Sequence, residues 1–292
     1  MIRAFALGLA ALVAAGPCAA LAEEKARIVT TSADLKSLVE AVGGDRVEVD
    51  SLMAPEQDPH SIELKPGQLA RLREAALLVR IGLDHEPWLA RALDGVRLPV
   101  LDASQDVRLL QTATPRLRAE RAVHVHAYGN THYWLNPDNA RPITAAILGE
   151  LVQLRPADRP VFEANRAAFL SRLDGKIAEW EQALAPYRGA KVVVVHDSWA
   201  YFAERFGFQV VAAAEPNPGI PPSPAELAEL FKRMRESGVH VLLAEPSANP
   251  ALVRLIADKG AATAVTLPAS GFDYIALFEE NVKRLSAALK AE

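Results

Sequence analysis

Cysteine is almost absent from this 292-residue chain. Cys18 stands alone, and it lies inside the opening stretch MIRAFALGLAALVAAGPCAALAEE. That stretch has a basic residue, Arg3, then an apolar run over Phe5–Ala15, then Ala20-Leu21-Ala22 as a small-x-small cleavage pattern. It predicts a secretory signal peptide over residues 1–22. Pro17 directly before Cys18 makes a poor acylation motif, which argues against a lipid anchor. With Cys18 removed, the mature chain has no disulfide, although an exported protein is free to form one. Any metal site must then be built from histidine and carboxylate side chains. Other absences narrow the field further. No second apolar run reaches the roughly 18 residues needed to span a bilayer. No basic stripe points to nucleic acid, and loss of the leader moves the formal net charge only from −4 to about −5. No H-E-x-x-H pattern occurs, so the usual helix of a zinc protease is missing.

What remains, about 270 residues, suffices for two ordinary domains. Arg27–Thr31 reads as a short buried strand. Ser32 then precedes Leu35, Leu38, Val39 and Val42 at helical spacing, which stop at Gly43-Gly44. Val47–Met53 alternates as a strand. Pro66–Glu74 and Pro87–Leu93 read as helices, with strands at Ala76–Ile81 and Pro99–Leu101. The second half repeats this plan. Its strands are Lys191–Val195, Phe208–Ala213, Val239–Ala244 and Ala264–Leu267. Its helices are Trp199–Phe206, one opening at the capping box Ser223-Pro224-Ala225-Glu226, Pro250–Lys259 and Tyr274–Leu289. Strands alternating with helices imply α/β architecture, each half a parallel sheet covered on both faces. Between the halves, Phe162, Phe169, Leu173, Ile177, Trp180 and Leu184 recur at helical spacing, with only Gly175 to interrupt them. One continuous helix of about 45 Å is predicted, since a lone glycine costs only about 1 kcal/mol. The expected organisation is an N-terminal lobe over 23–155, a linking long helix over 156–188 and a C-terminal lobe over 189–292.

Three of the seven histidines fall within the stretch HVHAYGNTHYWLNP, residues 124–137. His132 is set apart from His124 and His126 by an aromatic pair and the Asn136-Pro137 turn that follow it. His60 follows the second strand, His196 directly follows KVVVV, and Asp273 follows the last strand. In parallel sheets, ligands collect at the carboxyl ends of strands. Three neutral imidazoles and a carboxylate form a sound tetrahedral donor set for Zn²⁺. Taken singly, each of these residues reads equally well as a helix cap or a hydrogen-bonded core residue. His85, in GLDHEPW, stands before a helix start where it could line the cleft, but it reads rather as a cap or a surface residue, and His240 as structural. Asp197 and Glu245 stand near ligand positions with no assignable role. Trp134 and Trp199 flank two of the ligand positions and would shield them from water.

The segments EQDPHSIELKPGQLARLREAALLVRIGLDHEPWL, THYWLNP, VVVVHDSWAYFAERFG and SGFDYIALFEENVKRL occur in this order. Together they resemble the metal-binding solute-binding proteins of zinc and manganese ABC importers, cluster A-I, over essentially the whole mature chain. The resemblance implies two α/β lobes joined by one long helix. It also implies metal ligands at His60, His132, His196 and Asp273. Manganese members resemble this pattern but carry a carboxylate where His196 stands, so the nitrogen-rich set implies zinc. Zinc members often carry a longer His-rich insert where this chain has only His124 and His126. These two form either a short metal-capture loop or an inert surface loop. The expected function is binding of one Zn²⁺ in the periplasm and its delivery to an inner-membrane ABC permease. A periplasmic zinc chaperone is a further partner, the protein is a monomer, and there is no chemical step. The alternatives are a Mn²⁺-binding homologue, a zinc-dependent hydrolase with an open coordination position, and a surface adhesin.

Overall fold

A computed structural model describes residues 24–58, 62–110, 129–215 and 220–290. The signal-peptide stretch, His60, His124 and His126 therefore lie outside the described residues.

Strand β1 (Ala26–Thr30) runs into Ser32, whose side chain accepts from the Leu35 N–H at 3.2 Å and opens helix α1 (Ala33–Gly43). Such a cap contributes about 1 kcal/mol. Leu35, Leu38, Val39 and Val42 are all buried, as their spacing requires. Then follow β2 (Val47–Ser51), α2 (Pro66–Glu74), β3 (Leu77–Arg80), the single turn α3 (Leu89–Ala92) and β4 (Val100–Asp102). The four strands pair in parallel in the order β2-β1-β3-β4. Leu77, Leu78 and Val79 are wholly buried, because helices cover both faces of the sheet.

Helix α4 (Ala140–Leu154) has no counterpart among the elements expected from sequence. Pro142 and Gly149 disguise it, yet Ile143, Ile147 and Leu151 make a buried stripe at helical spacing. Helix α5 (Arg159–Leu184) runs unbroken through Gly175 for 26 residues, about 39 Å. It packs against both α1 and α4.

The second sheet repeats the first: β5 (Lys191–Val194), α6 (Ala200–Phe206), β6 (Gln209–Ala213), α7 (Pro224–Ser237), β7 (Val241–Ala244), α8 (Pro250–Gly260) and β8 (Thr263–Thr266). Its order is β6-β5-β7-β8, all parallel. Helix α6 stops at Gly207 and α7 at Gly238, both in the left-handed conformation that glycine adopts without cost. The capping box at Ser223 and Glu226 is formed as expected. The last helix, α9 (Tyr274–Lys290), returns to pack on α5 and α1.

Two α/β lobes result, each with the same strand order. Their inner faces share one apolar cluster that runs from Ile28 and Leu38 through Phe169 and Trp180 to Trp199 and Phe278. Among the described residues no helix is long and apolar enough to cross a membrane.

Candidate metal centre

In an open parallel sheet, the strand order reverses at the switch point, and a crevice opens at the strand ends there. For these strand orders the switch points lie between β1 and β3 and between β5 and β7. Both crevices open into one cleft. Its walls include Ser32 and Asp34 beyond β1, Ile81 and His85 beyond β3, and His196 and Glu245 beyond β5 and β7. His132 and Trp134 line it from the segment between the lobes. The described lining residues carry Asp34, Asp58, Glu215 and Glu245, and neither lysine nor arginine. A cleft with four acids and no fixed cation suits a positively charged ligand.

His132 is buried, and its tautomer is fixed by Asn130. The His132 backbone N–H donates to Asn130 Oδ1 at 2.9 Å. Asn130 Nδ2 donates to the Asp197 carbonyl at 2.8 Å. A backbone N–H can only donate and a carbonyl can only accept, so the amide has a single orientation. Asn130 Oδ1 also lies 3.2 Å from His132 Nδ1. Nδ1 must therefore carry the proton, which leaves Nε2 with its lone pair, the state a metal requires. The same amide ties His132 to the turn that carries His196, whose ring centroid is 5.3 Å from that of His132.

His196 sits in the middle of a row. The β5–β7 register pairs Val194 with Leu243, and the β5–β6 register pairs Val194 with Ala213. Two residues further on, these registers set His196 beside Glu245 on one side and Glu215 on the other. Glu215 Oε2 is 4.0 Å from His196 Nδ1. The Glu215 N–H is held by the Val195 carbonyl at 2.9 Å.

His85 departs from expectation. Rather than capping a helix at the surface, it is 1% exposed and faces the cleft. Its ring lies edge-on to both His132 and Trp134, with centroids 5.3 Å away in each case. Nδ1 is 2.8 Å from Thr131 Oγ1. The turn that presents it, Gly82-Leu83-Asp84, has φ of 82°, 56° and 57°. Two non-glycine residues in this region are uncommon, and the turn is held by Glu86. That carboxylate accepts from Ile81 N at 2.7 Å, Gly82 N at 3.1 Å and Thr31 Oγ1 at 2.6 Å. Burial pushes the Glu86 carboxyl up.

Asp273, expected as the fourth ligand, stands elsewhere. It is exposed, and its Oδ1 accepts from the Ala276 N–H at 3.0 Å as the cap of α9. It does not line the cleft. The segment before it faces the cleft instead, and Asp34 clasps it across the lobes. Ser270 Oγ donates to Asp34 Oδ2 at 2.5 Å, and Gly271 N donates to Oδ1 at 3.1 Å. Full burial pushes Asp34 up to about 7, against the opposing pull of these two bonds. Trp134 Nε1 fastens the same segment by donating to the Ala269 carbonyl at 2.8 Å. Trp134 thus walls the cleft as expected, whereas Trp199 lies beneath it, donating from Nε1 to Glu245 Oε1 at 2.9 Å. Among the described residues no three donors converge closely enough to hold an ion by themselves.

Residues 28–288 match the family described as zinc-uptake complex component A, periplasmic. The chain belongs to this family. Among its relatives is the high-affinity zinc uptake system protein ZnuA of Paracoccus denitrificans, 28% identical over 88% of this chain and 87% of that protein. The zinc-binding lipoprotein AdcA of Streptococcus pneumoniae is 26% identical over 93% of this chain, but over only 57% of its own greater length. A crystal structure of ZnuA superposes with a TM-score of 0.80 at 29% identity, covering 91% of this chain and 99% of that one. The Mn²⁺ complex of FpvC from Pseudomonas aeruginosa also reaches 0.80, covering 92% and 99%, and at 23% identity that likeness is one of fold. The family's two-lobed α/β fold is the one expected from the sequence.

Proposed function

We propose that this chain is the periplasmic Zn²⁺-binding protein of an ABC importer, with His60, His132 and His196 as the nitrogen donors. The observation that carries this reading is the pairing of His132 and His196, 5.3 Å apart between ring centroids, in a cleft whose described lining carries four acids and neither lysine nor arginine. The family and its zinc-uptake relatives support it. One ion is carried as cargo and handed to an inner-membrane permease, with no chemical step. The leader, residues 1–22, directs the chain to the periplasm, where it works as a monomer and a zinc chaperone is a further partner. His124 and His126 serve as a capture loop. Deleting residues 123–127 should then slow zinc transfer from a chelator without changing final affinity, and unchanged transfer kinetics would refute that role.

Imidazole nitrogen favours zinc over manganese. His196→Glu should therefore shift a Zn²⁺/Mn²⁺ competition titration towards manganese by about tenfold or more. An unaltered ratio would count against His196 as a ligand. Binding should also weaken as pH falls through the imidazole range, since only neutral imidazole ligates.

A further inference from the structure

We infer that Tyr201, through its phenol hydroxyl, is a positioning residue of the metal centre: it fastens Asn130 to α6 and so keeps the imidazoles of His132 and His196 at one fixed spacing. This inference rests on the zinc-binding reading above.

Asn130 is buried, and every polar group it has is engaged. Its N–H donates to the Leu110 carbonyl at 2.9 Å. Its Oδ1 accepts from the His132 N–H, and its Nδ2 donates to the Asp197 carbonyl. Its own carbonyl accepts from the Tyr201 hydroxyl at 2.9 Å. The bonds to Asp197 and Tyr201 run to one short stretch of chain, the turn after β5 and the start of α6, and that stretch carries His196. A single attachment would let Asn130 pivot. Two attachments, one on its side chain and one on its main chain, fix it. The 5.3 Å between the His132 and His196 rings is then set through Asn130.

The same hydroxyl accepts from the Leu110 N–H at 3.0 Å. Leu110 and Asn130 are thus joined twice, by their own backbone bond and through one phenol. Residues 111–128, which include His124 and His126, leave and rejoin the described chain at this neck. A phenol both donates and accepts, so one side chain satisfies a carbonyl and an N–H together. Tyr201 is 1% exposed, and burial pushes its phenol up, so the proton it donates is retained. Phenylalanine would fill the same space and leave both backbone groups without this partner.

The test uses the full mature chain in wild type, Tyr201→Phe and Arg108→Ala. Arg108 fastens the same segment to α6 by an exposed ion pair with Glu204 at 2.6 Å, and it does not line the cleft. Zinc affinity is read by chelator competition, and the His132 tautomer by ¹⁵N NMR of the metal-free protein. Y201F should weaken zinc by about tenfold, and His132, with its proton on Nδ1 in the wild type, should become a mixture of tautomers. R108A should change neither. Wild-type affinity in Y201F would overturn the inference. So would weakened zinc with the wild-type tautomer, or an equal loss in R108A, since either would leave Tyr201 a purely structural role. Should Y201F fail to fold, hydrogen exchange of the wild type decides, because coupling between two sites is reciprocal. Zinc should then slow exchange at the Leu110 and Asn130 amides about tenfold more than at the amides of α8, and equal slowing would overturn the inference. A wild-type chain that takes up no zinc would overturn the zinc-binding reading itself, and the tautomer comparison, made without metal, would still decide whether Tyr201 holds Asn130.

Discussion

His132 owes its available nitrogen to a neighbour two residues away. Asn130 holds Nδ1 as a donor and at the same time bridges to the Asp197 carbonyl. Asn130→Ala should weaken zinc by about tenfold in a chelator competition while leaving the circular dichroism spectrum unchanged. An unaffected affinity would mean that the tautomer is set by something else. Asp34 is the other residue whose environment makes a definite demand. Burial lifts its carboxyl from an ordinary 3.8 to about 7. The folded state therefore holds this proton more tightly than the unfolded chain does. The contribution of Asp34 to stability is fully present at low pH and is lost as pH rises from about 4 to about 7. Asp34→Asn stays neutral throughout, so wild-type stability minus that of D34N should fall across this window. The fall is on the order of 4 kcal/mol at most. Thermal melts of the metal-free proteins at a series of pH values would read it, and parallel curves would refute it.

At the scale of elements, local chemistry was legible wherever it was local. Ser32, Ser223, Gly207 and Gly238 cap or stop their helices as their residue types predict. Asp273 carried the same signal, an acid directly ahead of an apolar helical pattern, and its Oδ1 accepts from the Ala276 N–H at the start of α9. His85 was not legible. Its turn puts Leu83 and Asp84 in the left-handed region, held by Glu86 at the end of the same turn, whose carboxylate is itself fixed by Thr31 from distant chain. Helix α4 was hidden by Pro142 and Gly149, although its buried stripe was there to be counted. Two glycines separate these kinds of information. At Gly82 a Cβ would lie 2.1 Å from Asp102 Oδ1, on a backbone with φ of 82°. Gly82→Ala should destabilise by about 2 kcal/mol or more. At Gly175, inside α5, a Cβ meets nothing within 4 Å. Gly175→Ala should stabilise by about 0.5–1 kcal/mol. Urea melts of both variants check the pair, and a destabilised G175A would mean that α5 needs its glycine to bend.

At the scale of the whole molecule, the repeated strand order was readable from alternating strand and helix patterns. The cleft was readable only in part. The histidine-rich stretch pointed to His132 and a strand end to His196, but which acids stand near them depends on two sheet registers and on which segment the last strand leads into. The shared core from β1 to α9, the strut α5 and the Asp34 clasp tie the lobes together. The proposed function is uptake of one zinc ion through imidazoles contributed from both lobes. Native mass spectrometry of the mature chain, stripped of metal and titrated with zinc, tests this most directly, with His60→Ala, His132→Ala and His196→Ala alongside. The account predicts one tightly held zinc in the wild type, lost or greatly weakened in each of the three variants. Undiminished zinc in His132→Ala, or two equally tight ions in the wild type, would contradict it.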